Sequence, residues 1–273
     1  MILGKLLGVL FLDLGKAFDC VDHDLLLSKL NFYVITGKSN KLMESYIKNR
    51  FQRIVLKDEF NTKLIYEWKR VNYGVPQGFV LGPLLFSIYI NDLPRTINKY
   101  AESVLYADDT SIIIANTNVH EYKHNIKLSM HEINNWIVKN LLTVNYNKTY
   151  FLQFFTKKQK EVTLQIVTAN SLLINSNSTK FLALMIDSML TWEEHIMDLS
   201  HKLNKICFAI RTMKIFLTWK SWKMVYYSYF HSVMSYGIIF WGTSTYSNNI
   251  FRIQKRIIRI ISNSSKREVC RQL

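Results

Sequence analysis

The stretch VLYADDTSIIIA (104–115) constrains what this chain can fold into more than any other. Residues 104–106 and 111–115 have the apolar, β-branched character of strands, so Asp108 and Asp109 fall where a hairpin turns. Two adjacent carboxylates between buried strands repel each other. The pair is tolerable in water, or where a divalent cation between the carboxylates reverses the local electrostatics. Aspartate also favours turns on geometry alone, so the hairpin by itself leaves both readings open.

The rest of the chain supplies company for that hairpin. Residues 6–12 form a continuous apolar run ending at Asp13, the pattern of a strand buried on both faces with a carboxylate at its end. Asp22 is placed to cap a helix whose apolar face carries Leu26, Leu27 and Leu30. From 46 to 73 the sequence is polar, basic and weakly alternating, which predicts two exposed strands at 53–56 and 63–68. GVPQG (74–78) is a turn-rich loop, and Gly82 and Pro83 open a helix running to about Asp92. Val119, Tyr122, Ile126, Met130, Ile133 and Ile137 recur at helical spacing. Lys148 precedes a strand at 149–155, the run KKQK (157–160) forms a surface turn, and weaker strands are expected at 162–167 and 179–186. From His195 the pattern is helical to the end.

Charge narrows the choice of partner. The formal net charge is +15, and from Glu193 onward 13 Lys and Arg face only 4 acidic residues. Such an excess points to a polyanion, either nucleic acid or an anionic membrane. In IFRIQKRIIRII (250–261) Arg252, Lys255, Arg256 and Arg259 share one arc of a helix, with Ile253, Ile257, Ile260 and Ile261 opposite. That basic face suits a phosphate backbone. Residues 224–251 carry no charged side chain, yet their Ser, Tyr, His and Asn content is too polar for lipid, and a helix packed inside a domain is expected. The apolar N-terminus has no small-residue cleavage site after it. Cys20, Cys207 and Cys270 fit neither a disulfide framework nor a zinc site. The expectation is an intracellular protein of the cytoplasm or nucleus, not secreted and not bound to a membrane.

Taken in order, these segments resemble the reverse transcriptases of non-LTR, LINE-like retrotransposons, particularly the jockey-like kind. FLDLGKAFDCVDHDLLLSKL (11–30) is similar to the first palm motif, GVPQGFVLGPLLFSIYINDLP (74–94) to the second and YADD (106–109) to the third. NLLTVNYNKTYFLQF (140–154) resembles the fourth, and KFLALMIDSMLTWEEHI (180–196) the fifth, the primer grip. The basic helix resembles the segment closing the thumb.

The resemblance implies an α+β, right-hand polymerase fold: a palm over 1–196 with part of the fingers at about 36–73, and a helical basic thumb over 197–273. It implies an RNA template, a DNA primer and dNTPs as partners. Asp13 and Asp108 would hold two Mg²⁺ ions, or Mn²⁺ in their place, with Asp109 beside them. Phe18 would be the aromatic gate against a ribose 2′-hydroxyl. Gln77, Gly78 and Tyr106 would contact template and nucleotide, Lys148 would donate a proton to departing pyrophosphate, and Arg252, Lys255, Arg256 and Arg259 would hold nucleic acid. Gly15, Phe79 and Ala183 depart from the family's usual Ser, Ser and Gly. The family's upstream fingers strands, its common endonuclease and any RNase H lie outside these 273 residues, so an incomplete fragment is expected. The alternative is an inactive nucleic-acid-binding relic.

Overall fold

The computed structural model describes residues 5–59, 61–156, 162, 164, 174–262 and 264. They divide into two compact units, with the break between Ser176 and Asn177. Each unit has its own hydrophobic core. The KKQK run lies outside the described residues, as does most of the strand expected at 162–167.

The first unit begins with β1 (Leu6–Asp13), a 3-10 turn at Ala17–Asp19, α1 (His23–Phe32) and α2 (Gly37–Ile47). Four short strands follow, β2 (Arg50–Gln52), β3 (Val55–Lys57), β4 (Lys63–Ile65) and β5 (Lys69–Val71). Then come α3 (Leu81–Ile90), α4 (Leu93–Ile97), β6 (Glu102–Tyr106), β7 (Asp109–Asn116), α5 (Val119–Lys139), β8 (Tyr150–Phe154) and β9 (Ile174–Asn175). The main sheet has the order β6-β7-β1-β8-β9, with β1 antiparallel to both its neighbours. This central place explains why β1 is apolar up to Asp13.

Strand parity sorts the two faces of the sheet. Leu10 and Leu12 of β1, Ile112 and Ile114 of β7 and Phe151 of β8 point into the core shared with α1, α3 and α5. Each fully buried side chain of this kind contributes about 1.5–3 kcal/mol. Helix α5 joins them through Tyr122, Ile126 and Ile133, on the expected face, and Trp136 is buried beside them. Asp22 caps α1 by accepting the Leu25 N–H at 2.9 Å, and Leu26 and Leu30 are buried as that cap predicts.

The segment expected as two strands is a ribbon of four. Gln52 pairs with Lys69 and Val55 with Ile65, so residues 53–54 face 66–68 across the ribbon. The odd residue is a bulge, which breaks each long strand in two and reverses which side chains share a face. At the bulge the Arg53 guanidinium lies 4.6 Å from the centre of the Trp68 ring. Alternation alone could not reveal it, because both faces of the ribbon are exposed.

The second unit starts with a hairpin, β10 (Ser178–Phe181) and β11 (Leu184–Asp187), turned by Leu182 and Ala183 with φ of 44° and 62°. A left-handed non-glycine residue costs roughly 1–2 kcal/mol, so Ala183 accepts strain at a position where the resembled family has Gly. The Asp187 carboxylate accepts N–H groups of Met189, Thr191 and Trp192 at 2.7–3.2 Å and forms the turn into α6 (Glu193–Met213). Next come α7 (Trp219–Val225), a π-helical turn (Tyr226–His231), α8 (Ser232–Ser235), α9 (Ile238–Trp241) and α10 (Asn248–Ser262). Residues 224–251 are therefore packed helix, as expected, in several short pieces, with the chain turning at Gly237, φ 64°. Among the described residues no helix is long and apolar enough to cross a membrane. Helix α10 packs against α6 through Ile250, Ile253 and Ile257, around a core that includes the buried Trp241.

Candidate active site

The carboxylates gather at one end of the main sheet. Asp13 ends β1 and is the direct cross-strand partner of Asp109, the first residue of β7. Opposite residues in an antiparallel ladder share a face. Since Leu12 and Ile112 point into the helical core, Asp13 and Asp109 lie on the other face of the sheet. The hairpin turns at Ala107 and Asp108, Ala107 taking φ 52°, so Asp109 belongs to the strand rather than to the turn.

Partial shielding from water, followed by the negative charges of Asp108 and Asp13, holds the Asp109 carboxyl above its ordinary value of 3.8. Asp108 and Asp13 are therefore both close enough to act on Asp109. None has a basic partner among the ion pairs of the described residues. Nor, among those residues, do three His, Cys, Asp or Glu side chains converge as a ligand group for one ion. The folded chain keeps the Asp109 proton to a higher pH than the unfolded chain does, so this group lowers stability as pH rises from about 3.8 through the raised value. Asp109→Asn is expected to melt at a higher temperature than the wild type at neutral pH, with the difference closing below about pH 4. A calorimetric pH series in which the gap stays constant would show that repulsion at this site is absent.

The segment carrying Lys148 is fastened to Asp13. The Asn145 N–H donates to the Asp13 carbonyl at 2.9 Å, and the Asp13 N–H donates to Thr149 Oγ1 at 3.2 Å. Thr149 is buried and its hydroxyl donates to the Asn145 carbonyl at 3.0 Å. Lys148 stands between these two anchors, exposed and without an ion pair among the described residues.

The GVPQG loop is docked on the segment after Asp13. The Val75 N–H donates to the Phe18 carbonyl at 2.9 Å and the Gly74 N–H to the Val21 carbonyl at 2.7 Å. The Gly74 carbonyl lies 2.9 Å from His23 Nε2 and accepts from Arg50 Nη2 at 3.1 Å. Gln77 Nε2 donates to Asp19 Oδ1 at 2.8 Å, so its amide is aimed by the residue next to Phe18. The Phe18 ring sits 4.7 Å from that of Phe86, half-buried, while Tyr106 is exposed at the end of β6. Asn145, Thr149 and Asp19 escaped the sequence reading. Asp19 alone had a local signal, its place beside Phe18 in the first matched motif.

The four basic residues of α10 belong to the second unit, and their surroundings differ. Arg252 and Arg256 are exposed, with Arg256 Nη1 donating to Asn204 Oδ1 at 3.0 Å. Lys255 Nζ lies 4.3 Å from the centre of the Phe251 ring, and Arg259 is half-buried.

A model of the reverse transcriptase (RNA-dependent DNA polymerase) family matches residues 2–229. The probable RNA-directed DNA polymerase from transposon BS of Drosophila melanogaster is 27% identical over 94% of this chain and 29% of its own length. The RNA-directed DNA polymerase from mobile element jockey of Drosophila funebris is 29% identical over 94% of this chain and 28% of its own. The chain thus spans under a third of the length of these relatives, and the second agrees with the jockey-like resemblance of the motifs. Among solved structures, apo telomerase from Candida tropicalis aligns over 94% of this chain and 42% of its own, at 14% identity and a TM-score of 0.49. The family match spans the α+β sheet and the three grouped carboxylates, and carries the right-hand polymerase fold that the motifs implied: the chain belongs to the reverse transcriptase (RNA-dependent DNA polymerase) family.

Proposed function

We propose that this chain is the polymerising part of a retrotransposon's RNA-directed DNA polymerase, extending a DNA primer 3′-hydroxyl with dNTPs on an RNA template. The observation that carries this reading is the pairing of Asp13 with Asp109 at one sheet end, with Asp108 in the adjoining turn and, among the described residues, no ion pair from a basic side chain to any of the three. Phosphoryl transfer needs charge neutralised and reactants positioned more than it needs a covalent partner. Reverse transcriptases as a family use divalent metal ions. The donor set fits Mg²⁺ as an open site: hard carboxylate oxygens on adjacent strands, with repulsion among them that a cation relieves. Mg²⁺ sites of this class take one or two carboxylates and complete their shell with water and substrate phosphates, so a closed cage of three protein ligands is not required.

Asp13 and Asp108 would hold the two ions and Asp109 would adjoin them. When bound, the ions lower the pKa of the attacking hydroxyl and stabilise the leaving oxygens. Phe18 would close the space beside the sugar 2′-position. Gln77, held by Asp19, and Gly78 would meet the template and the nascent pair, with Tyr106 at the hairpin. Lys148, exposed and kept near Asp13 by the Asn145 and Thr149 bonds, would deliver a proton to pyrophosphate. In this reading residues 1–196 are the palm, with residues at about 36–73 as part of the fingers, and the helices from 197 are the thumb. Primer extension on an RNA template is the test. Elongation that needs template and dNTPs is expected from the wild type and none from Asp13→Asn; elongation by both would overturn the site.

A second reading, an inactive binding relic, draws on Phe79. It is 64% exposed directly after Gly78, where the resembled family has Ser. If extension is absent until Phe79→Ser is introduced, this reading gains. Both readings expect nucleic acid on α10. Replacing the exposed Arg252 and Arg256 by Ala should flatten the slope of log affinity for duplex against log salt by up to about 0.9 for each lost phosphate contact. An unchanged slope would mean that this face points elsewhere.

A further inference from the structure

We propose that α7 and the π-helical turn after it form a platform on which single-stranded RNA stacks its bases, using residues other than those of α10. From 199 to 267 the chain has 12 Lys and Arg and no Asp or Glu, so this part of the second unit carries one sign of charge. Within it, one face of α7 and the π turn is spent on the core. Trp222 and Phe230 are buried there, and the Tyr226 ring stacks on Phe230 with centroids 5.6 Å apart. The face beside it stands in solvent. Trp219 is 54% and Tyr227 61% exposed, with Lys220, Lys223 and Met224 exposed between them.

These groups form a line. In an α-helix a step of four residues overshoots a full turn by roughly 40°, whereas in the wider π turn the same step falls short of one. The two deviations offset each other across 219, 223, 227 and 231. Accordingly Lys223 Nζ lies 5.6 Å from the Trp219 ring centre and the Tyr227 ring 5.5 Å from His231. Neither Lys220 nor Lys223 has an ion pair among the described residues. An aromatic row flanked by unneutralised ammonium groups is the arrangement that holds an unpaired strand, rings against bases and cations against phosphates.

A duplex does not fit the platform, because stacking at about 3.4 Å hides the base faces that Trp219 and Tyr227 would need. An anionic membrane would draw the lysines too. The exposed Trp219 and Met224 could enter its surface as well, so vesicle binding is made one of the outcomes of the test. RNA is chosen on the template reading given above, though the platform does not depend on catalysis.

The test is binding of a labelled, mixed-sequence single-stranded RNA by the whole chain, beside the same RNA annealed to its complement. Trp219→Ala and Tyr227→Ala are each expected to weaken single-strand binding about ten-fold while changing duplex binding by less than about two-fold. Trp219→Phe, which keeps a ring, should restore most of the loss and shows that the fold is intact. Single-strand affinity unchanged in both alanine variants would overturn the platform. So would an equal loss on both RNAs, or binding to phosphatidylserine vesicles that these two variants abolish while single-strand affinity stays. Asp108→Ala should leave single-strand binding untouched, so a failed platform and a failed polymerase site give different results.

Discussion

Asp108→Ala is expected to lower primer extension on an RNA template by on the order of 10³-fold or more while leaving affinity for template and primer within about two-fold. The loss falls on the rate because the carboxylate acts on charge that develops at the reacting phosphorus, not on the nucleic acid held elsewhere. Its backbone explains why the fold should survive: Asp108 is an exposed residue of the hairpin turn, outside the core. Asp109→Ala should cost less, since Asp109 is proposed to adjoin the ions and not to hold them. Steady-state extension of the two single variants, with melting curves alongside, decides this. A fall of less than about ten-fold for Asp108→Ala would remove the carboxylate group from the mechanism.

Gly74→Ala is expected to cost about 3 kcal/mol of stability or more, and Gly78→Ala only about 1. Both glycines are left-handed, with φ of 86° and 80°. The difference lies in their surroundings. A Cβ on Gly74 would come within 2.9–3.0 Å of the Asp19 Cα and carbonyl and the Phe18 carbonyl, all backbone atoms that cannot turn aside. A Cβ on Gly78 meets nothing within 4 Å. Gly74→Ala must therefore lift the loop from the segment that holds Phe18, and with it the Asp19–Gln77 bond. Denaturant unfolding of the two variants measures the contrast. Equal losses would show that the loop does not depend on that close approach.

The local elements were legible where a single period or a single cap dominates. The apolar run ending at Asp13, the Asp22 cap and the three- and four-residue spacing of α5 each record a constraint that acts within one turn or one strand. The ribbon at 50–71 was not, because a bulge is a mismatch between two strands and neither carries it alone. For residues 224–251 composition showed that no charge is present and that packed helix would form, but not that the chain turns at Gly237, so that Trp222, Phe230 and Trp241 share one core.

For the candidate site the division is similar. The residue types and their order, an aspartate after an apolar run and a pair in a hairpin, are chain-level facts that carried the resemblance to the family, and the resemblance implied the metal ions. Which carboxylates share a face is a matter of register, and only the pairing of β1 with β7 places Asp13 opposite Asp109. The fastening of Asp13 by Asn145 and Thr149, and the aiming of Gln77 by Asp19, likewise belong to tertiary structure. These are single polar contacts between residues as much as 136 positions apart, with no periodicity to announce them. Local pattern reflects forces that act over a few residues; register and polar partnership are settled only when the whole sheet has closed and each buried donor must find an acceptor.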